Sequence, residues 1–295
     1  MINNRYDFVM LFDVENGNPN GDPDFGNMPR MDTETGYGIV TDVCLKRKIR
    51  NYIELIKNEA QSYKIFIKDD IALNLKLESA YKNLNIPLKE TKNTDKKNTK
   101  PKINRDAIQK AMRYMCENYY DIRMFGAVMT TGNASCGRIR GPIQINFAKS
   151  ISPIFPEDIT ISRMALTTEE DMQTKDNTFG KKSIIPYALY RAEGHVDAAL
   201  ANKTTDLSEE DLELLWEAIW NMFEHDKSAA RGKMIMRKLY IFKHDSELGN
   251  AHSHVLFDKI KISQKDMDIP PRSFNDYSIE VDNSMPNGVE LITKG

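Results

Sequence analysis

The sequence predicts an α+β protein with a ferredoxin-like (RRM-like) core, and three observations carry that prediction. Residues 6–14 and 138–147 alternate at a period of two, as half-buried strands do. Residues 41–57 and 208–225 repeat apolar positions at helical spacing behind good N-caps. With insertions set aside, the order is strand, helix, strand, strand, helix, strand, the split βαβ arrangement.

In YDFVMLFDV, Tyr6, Phe8, Met10, Phe12 and Val14 share one face and Val9 and Leu11 the other, which predicts a central strand. NGNPNGDPDFGN, residues 16–27, follows as a long loop of turn-forming residues, and ETGYGIV adds a second glycine-rich piece. The next helix starts at Thr41, with Asp42 in its first turn and Leu45, Ile49, Tyr52, Ile53 and Ile56 as its buried stripe. SYKIFI, 62–67, reads as a short strand, and 70–84 as a helix ended by Pro87. Residues 88–102 have no periodicity and almost no apolar side chain, so they read as a mobile loop. A helix follows over about 105–117. Arg138–Phe147 is expected as one strand with Ile139, Gly141, Ile143, Ile145 and Phe147 on its dry face. Residues 150–183 make a poor core. Residues 184–192 read as strand, 208–225 as a helix with a Ser208–Asp211 capping box, and 233–244 as the last clear strand. Patterning is weak beyond about residue 258.

At 295 residues and 40% hydrophobic content, one large domain or two modest ones can bury a core. No apolar run approaches the roughly 18 residues that span a membrane. The first residues carry acids inside their apolar run and lack a small-residue cleavage site, so they do not read as a signal peptide. Cys44, Cys116 and Cys136 lack metal-ligand spacing and are expected as reduced thiols in a cytoplasm. The net charge of -2 conceals zoning. Lys46, Arg47, Lys48 and Arg50 sit together, Lys89 to Arg105 hold a second basic group, and acids gather from Asp206 to Glu217. A chain zoned this way can meet a polyanion with one face.

Four stretches are candidates for chemistry. The 16–27 loop mimics the first half of an EF-hand, but its twelfth position is Asn27 and a strand precedes it. It lacks the G-K-[ST] ending of a P-loop. Asp22, Asp24 and Asp32 are the residues that would hold a divalent ion for phosphodiester cleavage, set against the plain role of building turns. On the helix at 41–57, Lys46 and Arg50 lie four apart with Arg47 beside them, a phosphate rail or a solvated basic face. In 125–142, Gly126, Gly132, Gly137 and Gly141 permit close backbone approach, and Arg138 and Arg140 share a strand face. In TFGKKS, Phe179 beside Lys181 and Lys182 suits a stacked base and a phosphate, or a plain hairpin tip. His252 and His254 have no third ligand at useful spacing and read as surface residues. No nucleophile motif is present.

Five blocks together carry a resemblance: NRYDFVMLFDVENGNPNGDPDFGNMPRMD, GIVTDVCLKRKIRNYI, DIRMFGAVMTTGNASCGRIRGPIQI, SIIPYALYRAEGHV and LLWEAIWNMFEHDKSAARG. In length and order they resemble the backbone subunit of type I-C CRISPR Cascade, the Csd-type branch of the Cas-seven family. The resemblance implies a palm with a helical fingers insertion and a thumb hairpin. It divides the chain into palm first half 1–60, fingers 61–125 with the basic loop 88–102, palm strand 126–149, thumb 150–183, palm second half 184–258 and tail 259–295. It implies copies polymerising head to tail along a guide RNA, with other Cascade subunits, target DNA and a recruited helicase-nuclease as partners. It implies no catalytic residue, metal, cofactor or membrane contact. On this sequence, Lys46, Arg47 and Arg50 would hold guide phosphates, and Gly137, Arg138 and Arg140 neighbouring ones. Met164, Phe179, Lys181 and Lys182 would lie near the kinked nucleotide, and Lys96, Lys97 and Lys100 would meet target DNA. The alternative from the residues is a metal-dependent ribonuclease using the aspartates of the 16–32 loop.

Overall fold

A computed structural model of the chain describes residues 1–69, 71–88, 105–132, 134–163 and 178–295. Its spine is β1 (Tyr6–Gly17), which pairs antiparallel along its length with β10 (Thr178–Val196) and, on the other edge, with β11 (Lys233–His244). Beyond β11 lies β14 (Val289–Lys294). Beyond β10 lie β7 (Ile143–Ile145) and β8 (Ala148–Pro153), and β8 carries β4 (Tyr37–Val40) at the far edge. Every pairing in this sheet is antiparallel, in the order β14-β11-β1-β10-β8-β4, with β7 also on β10.

The alternation of β1 decides what covers each face. Tyr6, Phe8, Met10, Phe12 and Val14 enter the core beneath two helices, α1 (Asp42–Lys57) and α6 (Glu209–His225). Leu45, Ile49, Tyr52 and Ile53 come from α1, and Leu212, Leu215, Trp216, Ile219, Met222 and Phe223 from α6. Phe8 meets Trp216 edge to face with ring centroids 5.3 Å apart, and Phe12 stacks on Tyr190 at 5.4 Å. Each fully buried side chain of this kind contributes about 1.5–3 kcal/mol. Ile56, expected in the stripe, is exposed instead. At the start of α6 the Ser208 hydroxyl accepts the Asp211 N–H, and the Asp211 carboxylate accepts the Ser208 N–H.

Val9 and Leu11 point to the other face, where the tail covers them. Helix α7 (Ser253–Phe257) and a hairpin of β12 (Ile260–Gln264) and β13 (Tyr277–Val281) bury Val9, Leu11, Tyr187, Leu189, Tyr240 and Phe242. The tail that looked unpatterned therefore closes the sheet, so the two central strands do not present an open face.

A second core forms under α2 (Leu73–Asn83), α3 (Arg105–Asn118) and the hairpin of β5 (Gly126–Met129) and β6 (Gly137–Arg140). It holds Leu77, Ala80, Ala111, Met115, Ile122 and Ile139. SYKIFI is not a strand there. It makes one bridge, Lys64 to Tyr119, and buries Ile65 and Phe66. The expected strand over 138–147 is broken at Gly141–Pro142. Its first part pairs with β5, its second part with β10, and Phe147 is exposed. A Cβ on Gly141 would lie 2.1 Å from the Phe125 carbonyl carbon, and Pro142 has no N–H for a ladder.

The short helix α4 (Tyr120–Phe125) joins the two cores, and all six of its residues are buried. Asp121 accepts Arg50 Nε at 2.8 Å and the N–H groups of Phe66 and Ile67 at 2.8 and 3.0 Å. Arg123 pairs in fork geometry with Asp211 at 3.0 and 2.8 Å. The Tyr120 hydroxyl donates to the Asp211 carbonyl. No helix among the described residues is long and apolar enough to cross a membrane.

Candidate nucleic-acid interface

The 16–27 loop folds back on itself and sets the start of α1. Residues β2 (Gly21–Asp22) and β3 (Met28–Pro29) pair around a turn over Pro23–Phe25. Asn20 Oδ1 accepts both the N–H and the hydroxyl of Thr41, whose Oγ1 in turn accepts the Cys44 N–H as N-cap. Two of the three loop glycines approach their own chain. A Cβ on Gly17 would sit 1.9 Å from the Arg231 carbonyl oxygen, and one on Gly21 would sit 2.0 Å from Asn27 Oδ1.

Its acids build turns. Asp22 accepts the Asp24 N–H at 3.1 Å and faces Arg30 at 3.4 Å. Asp32 accepts the Glu34 N–H and the Thr35 hydroxyl, and the latter lowers its carboxyl from the ordinary range. Asp24 is exposed. No group of three His, Cys, Asp or Glu side chains among the described residues is arranged to hold a metal ion.

The basic helix splits by burial. Lys46 reaches back one turn to Asp42 at 2.8 Å, and its ammonium lies 5.6 Å over the Phe125 ring. Arg47 is the most open of the group, at 40% side-chain exposure, with Asp69 at 3.4 Å. Arg50 is 8% exposed, committed to Asp121 and stacked 5.2 Å from the same Phe125 ring. Lys48 is buried against Asp226. The rail expected from Lys46, Arg47 and Arg50 thus keeps one open cation, Arg47, with Lys46 at 13% side-chain exposure largely covered by Asp42 and Phe125. Arg50 is corrected to an internal one, because a buried carboxylate 71 residues away claims it.

Phe125 leads directly into the β5–β6 hairpin. Gly126 pairs with Arg140, so the arginine strand ends beside the ring that Lys46 covers. Arg138 and Arg140 are exposed on either side of buried Ile139. Gly137, at φ +77°, lies under Met112 of α3, 2.7 Å from where a Cβ would be, so the close approach it permits is to α3. Arg138 and Arg140 line a cleft of about 1040 Å³ between α3, β6 and the turn joining α5 (Ala198–Thr204) to α6. Lys110, Arg113 and Lys203 line it too, and sequence reasoning missed all three. The signal was there in α3, whose spacing puts Lys110, Arg113 and Glu117 on one helical face.

A third cationic feature stands apart. β9 (Glu157–Arg163) pairs with the first seven residues of β10 as a two-stranded arm extending from the sheet. Residues 157–162 and 179–181 are exposed. The register puts Phe179 with Ser162 and Lys181 with Thr160 on one face, and Lys182 with Ile159 on the other. Phe179 and Lys181 are therefore together, and Lys182 is turned away. Met164, Lys96, Lys97 and Lys100 lie outside the described residues. His252 and His254 are exposed, with rings 5.8 Å apart.

The family described as CRISPR-associated protein Cas7 matches residues 4–282. A CRISPR-associated protein Cas7 of Haloferax volcanii is 24% identical over 94% of this chain and 81% of its own length. Two chains from CRISPR RNA-guided surveillance complexes also align. The pre-nicking complex gives 13% identity, a TM-score of 0.49 and coverage of 81% of this chain and 78% of that one. The other gives 11%, 0.46, 81% and 68%. The assignment rests on the sequence match over nearly the whole length: this chain belongs to the CRISPR-associated protein Cas7 family.

Proposed function

We propose that this chain is a non-catalytic guide-RNA-binding backbone subunit of a CRISPR surveillance assembly, of the type I-C kind. The observation that carries it is family membership together with a cationic surface that needs no sequence readout. Phosphate contacts give affinity for any guide, and base pairing is left to choose the target. Lys46 and Arg47 contact guide phosphates, Arg138 and Arg140 continue the path, and Gly137 shapes it through α3. The strands β11-β1-β10-β7 with α1 and α6 are the ferredoxin-like palm, supported by their antiparallel order. The α2–α3 body is the fingers. The arm is the thumb, with Phe179 and Lys181 toward the displaced nucleotide and Lys182 on its opposite face. Its exposed Ile159 and Ile161 suit contact with the next copy in a head-to-tail series. Target DNA at Lys96, Lys97 and Lys100, other Cascade subunits, a recruited helicase-nuclease and a cytoplasmic site complete the reading.

The engagement of Asp22 and Asp32 in turns supports a scaffold over a metal-dependent ribonuclease. Two measurements test the proposal. RNA binding in rising salt should be steep, and Lys46→Ala/Arg47→Ala should flatten the slope by about 1.4, two contacts at ~0.7 each. Magnesium-dependent RNA cleavage that disappears in Asp22→Ala, Asp24→Ala or Asp32→Ala would replace the scaffold with the nuclease.

A further inference from the structure

We propose that the cleft between α3, β6 and the α5–α6 turn takes the phosphodiester backbone of the bound single strand, with Lys110, Arg113 and Lys203 as phosphate contacts. This rests on the guide-binding reading above and extends its path beyond the residues named there. Five exposed cations line the cleft: Lys110 and Arg113 from α3, Arg138 and Arg140 from β6, and Lys203 from the end of α5. None of the five makes an ion pair among the described residues. Arg123, deeper in the cleft, is by contrast consumed by Asp211.

The geometry suits a strand of phosphates. Arg138 and Arg140 are two residues apart on one strand face, about 6.6 Å along the chain. That is close to the separation of successive phosphates in an extended nucleic-acid strand. Three guanidinium groups offer the paired N–H donors that phosphate oxygens accept in fork geometry. The hairpin that carries the cleft's arginines is tied to the Phe125 ring beneath Lys46, because Arg140 pairs with Gly126, the residue after Phe125.

A protein partner fits less well. Protein interfaces are anchored by apolar or aromatic side chains seated in desolvated pockets. Among the described residues, no exposed large apolar side chain lines this cleft. Asp106, Glu117 and Asp206 also line it, and all three would repel a polyanion. Their removal is a test of opposite sign to the removal of the cations.

The experiment is anisotropy of a labelled oligouridine with the full chain across a salt series. Lys110→Ala/Arg113→Ala/Lys203→Ala should reduce the slope of log affinity against log salt by about 2, three contacts at ~0.7 each. Glu117→Gln/Asp206→Asn should tighten binding. All five positions are exposed, so both variants keep the native melting curve. If wild type binds and both variants match it in affinity and slope, the cleft is not on the path and the inference is overturned. If the triple variant loses a protein partner while binding RNA normally, the cleft belongs to that partner and the inference is likewise overturned. If wild type binds no RNA, the function reading fails first and takes this inference with it.

Discussion

Asp121→Ala should be among the most damaging single changes in the chain. The carboxylate is 1% exposed and accepts three donors: Arg50 Nε and the amides of Phe66 and Ile67. Removing it leaves a guanidinium buried without its counter-ion, which costs about 3–5 kcal/mol. The two stranded amides add to that. At roughly 2 °C per kcal/mol for a chain of this size, the melting temperature should fall by at least about 6 °C. Arg50→Met should cost less, because Asp121 then keeps both backbone donors. The double variant should recover part of the Asp121→Ala loss, since it removes the guanidinium that Asp121→Ala alone leaves unpaired. Urea unfolding followed by circular dichroism measures all three. A loss under about 1 kcal/mol for Asp121→Ala, or strict additivity in the double variant, would refute the view that this contact fastens the α2–α3 body to the sheet.

Other expectations follow from single contacts. Burial pushes the Asp7 carboxyl up, but hydrogen bonds to His195 and His244 and the charge of Arg5 outweigh it and hold it well below the usual range. His244 Nδ1 accepts the Asn250 N–H, so its Nε2 carries the proton given to Asp7. A depressed folded-state value contributes stability that is complete above about pH 4 and fades below it, so Asp7→Asn should flatten the acid limb of a urea-midpoint series from pH 5 to pH 2. Burial pushes the Cys116 and Cys136 thiols up to about 12, so at pH 8 a disulfide reagent should count at most one thiol in the native chain and all three in denaturant. Gly17→Ala should cost about 1–3 kcal/mol, since its Cβ meets the Arg231 backbone, and should expose residues 228–232 to limited proteolysis.

What the sequence showed and hid has a physical pattern. β1, α1 and α6 were legible because period and capping are local properties, and the faces of Tyr6 to Val14 came out as the alternation requires. Lys48 and Arg50 looked like surface charge because their partners, Asp226 and Asp121, lie 178 and 71 residues away. The break in 138–147 was signalled by Gly141–Pro142, which alternation of the flanking isoleucines outweighed. In the tail, Pro286-Asn287-Gly288 marks a turn before VELITK, but short half-buried strands leave a faint pattern. The cleft cations needed the fold, since α3, β6 and α5 meet only in three dimensions.

One strand, β10, has a mechanical consequence. It runs 19 residues without interruption, seven in the arm and the rest against β1. At about 3.3 Å per residue it is a beam some 60 Å long, clamped at one end in the middle of the sheet. Its joint is Pro186, between the Ile185–Gly17 and Tyr187–Glu15 pairs, with Asn16 opposite at φ +50°. Ile185 and Ala188 both enter the helix-side core, which strict alternation would forbid, so the beam is rolled by one position at this joint. Because the strand is continuous, a load on the arm passes into β1 through their shared ladder.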